Sequence, residues 1–156
     1  SLMRQLSDGL LDIGVMYNQR QSRGLIVEDL LVEELVLVAT DQRKLSEGWV
    51  EDYVYVDWGN QFRASHGEAF PDMETPAISV GLGSLGLEYI LQNGGSGYFP
   101  IRVVQPYLDQ CKLFRVEAAP QLQRPAYVVY TENARDPETL KIALTGLREI
   151  SANEGG

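Results

Sequence analysis

Hydrophobic positions along the chain fall into short runs, each closed by glycine, proline or charged residues. Leu2, Met3, Leu6 and Leu10 stand near helical spacing and Asp8-Gly9 stops them, so the chain opens in the last turns of a helix. Residues 11–17 form an apolar run that predicts a buried strand, and residues 18–24 read as a polar loop. Residues 33–40 predict a second buried strand, rich in β-branched side chains, before a charged turn over 41–48. A third strand over 53–58 is closed by Gly59-Asn60. A short helix over 62–70 follows and is stopped by Pro71-Asp72.

The second half continues the alternation. Strands are predicted over 77–80, 97–99, 112–116 and 126–130, with helices over 85–91 and 103–108. The last helix has the clearest signals: Asp136 to cap it, Pro137 at its first position and Glu138 at the positive end of its dipole. Leu140, Ala143, Leu144, Leu147 and Ile150 then give it one apolar face. The polar residues 154–156 read as a frayed tail. Alternating elements, with strands apolar on both faces, predict an α/β fold built on a largely parallel sheet.

Composition narrows the function. At 156 residues the chain makes one ordinary domain or two small lobes, and 44% hydrophobic residues supply a packed core. Thirteen Lys+Arg against 22 Asp+Glu give a net charge of -9, which repels phosphate backbones and argues against nucleic-acid binding by these residues. No apolar run approaches the ~20 residues of a membrane helix, so no membrane partner is expected. The single cysteine, Cys111, allows no internal disulfide and fits a reducing, cytoplasmic setting.

Candidate chemistry is sparse. Gly81-Leu82-Gly83-Ser84-Leu85-Gly86 is a complete GxGxxG between a strand and a helix, but the acidic residue that should hold a ribose ~20 residues later is missing. What survives is a helix start, with Ser84 beside it, that favours an anion. The only histidine, His66, has no Gly-x-Ser-x-Gly partner and reads as a satisfied or surface residue, while Cys111 reads as a small buried hydrophobe. No catalytic residue, metal site or cofactor is expected. A mixed aromatic and polar set is more suggestive: Trp58, Asn60 and Phe62 after one strand, Tyr98 and Phe99 at the end of another, and Ser84 at a helix start. Ligands of open α/β sheets bind where such ends converge, although any one of these aromatics taken alone reads as core.

Four passages taken in order carry a family resemblance. Leu6-Ser7-Asp8-Gly9-Leu10-Leu11-Asp12-Ile13-Gly14-Val15 is similar to a helix-to-strand passage, and Glu34-Leu35-Val36-Leu37-Val38-Ala39 to a crossover strand. Tyr89-Ile90-Leu91-Gln92-Asn93-Gly94-Gly95-Ser96-Gly97-Tyr98-Phe99-Pro100 is similar to a helix end that runs through glycines into a strand. Arg124-Pro125-Ala126-Tyr127-Val128-Val129-Tyr130, with the closing helix, is similar to a return strand. Together they resemble the effector-binding domain of LysR-type transcriptional regulators over nearly the whole chain.

The resemblance implies a two-lobed fold of the periplasmic-binding-protein type II kind. Lobe I would comprise residues 1–37 and 117–156, and lobe II residues 38–116. A small-molecule effector, expected to be anionic, would lie between the lobes against Thr40, Trp58, Asn60, Phe62, Ser84, Tyr98 and Phe99. DNA would be contacted only through a winged helix-turn-helix that this sequence lacks, within a homodimer or tetramer. The opening strand-helix-strand of lobe I is also absent, so an incomplete first lobe with exposed strand edges, prone to self-association, is expected. The competing readings are the solute-binding protein of a transport system, which shares the architecture, and a small α/β enzyme.

Overall fold

The computed structural model describes residues 2–17, 22–46 and 48–154. Two compact units divide the chain: Ser1–Val32 together with Pro125–Gly156, and Glu33–Arg124. Two strands run from one unit into the other. They are β2 (Leu25–Ala39) and β7 (Leu122–Thr131).

The first unit holds α1 (Leu2–Ser7), β1 (Ile13–Met16), the start of β2, the end of β7 and α5 (Pro137–Glu154). β1 pairs antiparallel with β7, Ile13 opposite Tyr130 and Met16 opposite Tyr127. Leu6, Leu25 and Val129 form its buried centre, with Met3, Leu11, Met16 and Val27 packed around them. α5 starts as its sequence predicts: Asp136 accepts hydrogen bonds from the Thr139 N–H at 3.2 Å and the Thr139 hydroxyl at 2.7 Å. Glu28 on β2 accepts from the Tyr130 hydroxyl at 2.6 Å and pairs with Arg148 at 2.7 Å, which holds its carboxyl below the ordinary value.

The second unit carries the larger core. A 3₁₀ turn (Trp49–Asp52) leads into β3 (Val54–Val56), α2 (Asn60–Ala69), β4 (Ile78–Val80) and α3 (Gly83–Asn93). β5 (Ser96–Pro100), α4 (Ile101–Asp109) and the short β6 (Phe114–Arg115) complete it. β5 and β6 each pair antiparallel with β2, Leu37 opposite Tyr98 and Ala39 opposite Phe114, while β3 and β4 form a separate parallel pair. Strand alternation then sorts the side chains into two layers. Val36, Val38, Val54, Val56 and Phe99 join one apolar cluster with α3 and α4. Leu35, Leu37, Ala39, Tyr53 and Tyr98 join another with Phe62 of α2.

Several expectations change. The ladders are mostly antiparallel, not parallel. Residues 35–39 are apolar on both faces because a layer packs on each side of them, which is the condition that makes parallel strands read as unbroken apolar runs. The strand expected from residue 33 begins at Leu25; of its first eight residues only Leu25 is buried, and Glu28-Asp29 break the apolar run. β1 is half-buried, with Val15 41% exposed, where a buried strand was expected. The strand expected over 112–116 shrinks to two residues. On α5 the buried face uses Leu144, while Ile150 points outward at 57% exposure. The polar loop over 18–24 lies outside the described residues at 18–21, as do Glu47 in the charged turn and the tail at 155–156.

Candidate ligand-binding site

Within the second unit, the ends of β3 and β5 and the starts of α3 and α4 surround a cavity of about 520 Å³. Its walls include Trp58, Ser84, Leu87, Phe99, Arg102 and Arg124, and its size falls in the range of small-molecule sites. Trp58 follows β3, and its indole Nε1 donates to the Tyr98 carbonyl at 2.9 Å, which fixes the ring against β5. Phe99 meets that ring edge-on at 6.3 Å between centroids. Gly83 leaves room for the ring: a Cβ there would lie 2.1 Å from Cη2 of Trp58. Gly86 serves packing in the same way, since its Cβ would meet Val56 at 2.8 Å. Two of the three glycines of the GxGxxG motif are thus explained by close packing of α3.

The charged part of the wall was not legible in the sequence. The guanidinium carbon of Arg124 sits 4.5 Å from the Trp58 ring centroid, a cation–π contact. Arg124 also donates through Nε at 3.0 Å and Nη2 at 2.5 Å to Oε2 of Glu33, and Arg102 donates to Oε1 of the same carboxylate. The Glu33 side chain is 6% exposed, that of Arg124 11%, and that of Arg102 55%. Burial works to raise the Glu33 carboxyl, but the bonds from the two arginines outweigh it and hold the carboxyl below its ordinary value. These residues stand 69 and 91 positions from Glu33, and no local spacing reports a pair formed only by the strand crossing.

The predicted site residues separate into two groups. Trp58, Ser84 and Phe99 line this cavity; Thr40, Asn60, Phe62 and Tyr98 do not. Thr40 instead ties the turn before β5, its Oγ1 accepting from the Gly95 N–H at 3.0 Å. Asn60 is exposed at the start of α2. Phe62 and Tyr98 are fully buried in the other layer, where the Tyr98 hydroxyl donates to the Pro120 carbonyl at 2.8 Å.

His66 completes that layer. It lies 6% exposed among Tyr53, Tyr55, Phe62, Phe70 and Tyr98, with Nε2 2.9 Å from the Tyr53 hydroxyl. Burial pushes its pKa down to about 4, so it is neutral near pH 7, a satisfied core histidine. Cys111, expected to be buried, is exposed and adopts φ 56° just after α4. The helix ends there in a left-handed turn that carries the residue outward.

A larger depression of about 740 Å³ lies near Arg43, Lys44 and Arg115. Arg43 is already neutralised by Asp41 at 2.7 Å and by a two-pronged pair with Asp52 at 2.8 and 2.9 Å, so the depression offers an anion less than its cations suggest. Among the described residues no cluster of three or more His, Cys, Asp or Glu could hold a metal ion. No helix among them is long and apolar enough to cross a membrane.

This arrangement, two units joined by two long strands with a ligand-sized cavity at strand ends, is that of a periplasmic-binding-protein type II-like domain. The sequence model of the LysR substrate binding domain matches residues 1–150, and the chain belongs to that family of transcriptional-regulator domains. No curated protein matches the chain. Among solved structures, the bromide-bound regulatory domain of HypT from Salmonella typhimurium is similar at 13% identity and TM-score 0.75. That match covers 97% of this chain and 78% of that one. Full-length LysG from Corynebacterium glutamicum with bound effector Arg is similar at 18% identity and TM-score 0.68, covering 98% and 55%. Vibrio fischeri DarR in complex with DNA is similar at 16% identity and TM-score 0.75, covering 94% and 53%. At these identities the likeness shows the fold, and the chain spans about half the length of the LysG and DarR chains.

Proposed function

We propose that this chain is the ligand-sensing part of a cytoplasmic LysR-type regulator, that its effector is a small anion, and that Trp58, Ser84 and Phe99 form part of the wall the effector meets. The observation that carries it is the cavity itself: aromatic walls, two guanidinium groups and the starts of two helices face one space of small-molecule size. Thr40 acts from behind by holding the Gly95 turn that feeds β5. DNA contact in the whole regulator falls to a helix-turn-helix domain outside this sequence, in keeping with the net charge of -9. Self-association would use the outer face of α3, where Leu82, Leu85 and Tyr89 are 66%, 52% and 38% exposed.

The test is a thermal-shift screen of the chain against small organic and inorganic anions, repeated on Ser84→Asp. A ligand that binds only the folded state raises the melting temperature, and the added carboxylate of the variant should abolish that rise by like-charge repulsion. An unchanged response in the variant would remove Ser84 from the site. No response to any compound would contradict ligand sensing by this chain.

A further inference from the structure

We propose that Glu33 is a positioning residue for the cavity wall. It clasps the strand that enters the second unit to the strand that leaves it, and through Arg124 it fixes the Trp58 ring, so that strand pairing and order in the wall are gained and lost together. The proposal rests on the ligand-sensing reading for the use of that wall, while the clasp stands on its own geometry.

The first observation is where the clasp sits. Glu33 on β2 is the first residue of the second unit, and Arg124 on β7 is its last. Their side chains are 6% and 11% exposed, and Arg124 closes on Oε2 of Glu33 with Nε at 3.0 Å and Nη2 at 2.5 Å. One residue along, Gln123 Nε2 donates to Oε1 of Glu34 at 3.0 Å. Successive strand residues point to opposite faces, so side chains tie the two strands on both sides of the sheet. Pro125 follows Arg124 within β7 and has no N–H to give a ladder, which leaves more of the pairing to these side chains.

The second observation is what Arg124 does with its other surface. Its guanidinium carbon lies 4.5 Å from the centroid of the Trp58 ring, whose Nε1–H donates to the Tyr98 carbonyl at 2.9 Å. One planar group serves a carboxylate at its edge and an aromatic ring at its face, which a lysine ammonium does not reproduce. The third is that Arg102, at the start of α4, donates to Oε1 of Glu33, so both oxygens of this buried carboxylate are bound and α4 is held at the same point. Removing one partner leaves a charge buried without its match, so the contacts favour a clasp that is whole or open. A ligand that meets Trp58 differently in those two states shifts the clasp by that difference in contacts and no more.

The experiment uses the whole chain and reads hydrogen exchange by NMR, at the Trp58 indole Nε1–H and at the backbone amides of Gln123 and Arg124. Trp49→Phe assigns the indole signals. In Glu33→Gln the Trp58 indole and both amides should exchange about tenfold faster or more, the effect of losing a hydrogen bond to a charged group. The amides of Val54 and Ile90, fully buried in the same unit, should change less. Glu33→Gln added to Arg124→Gln should give no further rise over Arg124→Gln alone, because one residue acts through the other. If Glu33→Gln does not fold, Arg124→Lys decides alone: it keeps the charge, loses the fork and the stack, and should free the indole all the same. Unchanged indole exchange, an equal acceleration at Val54 and Ile90, or additive effects in the double variant would overturn the proposal. If the clasp behaves as stated and no small anion raises the melting temperature, the ligand-sensing reading falls and the clasp stands. If anions bind and Glu33→Gln leaves the indole untouched, the clasp alone falls.

Discussion

Tyr98 and Phe99 are neighbours on one strand and face two different environments. On the Tyr98 side, Phe62, His66 and Phe70 fill the space and the layer closes. On the Phe99 side, Trp58 and two arginines leave an opening of about 520 Å³. One side is built to be full, the other to be entered. The difference comes from what faces each residue. α2 supplies rings that interlock, whereas α3 presents glycines at Gly83 and Gly86 and α4 presents Arg102 at its start.

This contrast predicts unequal costs. Phe62→Ala, on the closed side, should destabilise the fold by about 3–5 kcal/mol, the range for deleting a buried aromatic. Trp58→Ala, on the open wall, should cost less, since its ring is half-buried and partly faces the cavity. Urea denaturation of both variants checks this, and equal losses would break the distinction between a filled layer and a binding wall.

The next effect is pH dependence from the closed side. His66 is held neutral in the folded protein with its pKa near 4, whereas the unfolded chain takes up a proton near 6.5. Its contribution is therefore complete above pH ~6.5 and is lost as pH falls toward ~4, by about 3 kcal/mol at most. Denaturation curves over that window should show a loss in the wild type that shrinks in His66→Phe. A parallel loss in both would place the acid sensitivity elsewhere.

A smaller effect tests the open side. Gly83→Ala puts a Cβ 2.1 Å from the Trp58 ring, which must move, at a cost of about 1–3 kcal/mol. The emission of Trp58 should change, and any thermal-shift response to a small anion should weaken with it. Cys111→Gly, at an exposed turn position, should give the smallest effect. Glycine relieves a left-handed residue at φ 56°, and thermal melts should show a gain of about 0.5–1 kcal/mol.

Local chemistry made much of the fold legible. Asp136 and Pro137 announced α5, Gly94-Gly95 marked the end of α3, and the run from Leu35 to Ala39 announced a buried strand. Residues 25–32 of β2 went unseen because, Leu25 apart, their side chains are only partly covered or exposed, so no clear periodicity appears. The aromatic set at the strand ends pointed to the right neighbourhood, yet strand alternation divides it. Trp58 and Phe99 reach the cavity, while Phe62 and Tyr98, similar in composition and spacing, do not. The Glu33–Arg102–Arg124 cluster was invisible because its members are brought together only by tertiary pairing of distant segments.

The most direct measurement is a crystal structure of the chain with the small anion that raises its melting temperature most. The account predicts density for that ligand in the space walled by Trp58, Ser84 and Phe99. A ligand found elsewhere, such as the depression near Arg43, with this cavity occupied only by water, would contradict it.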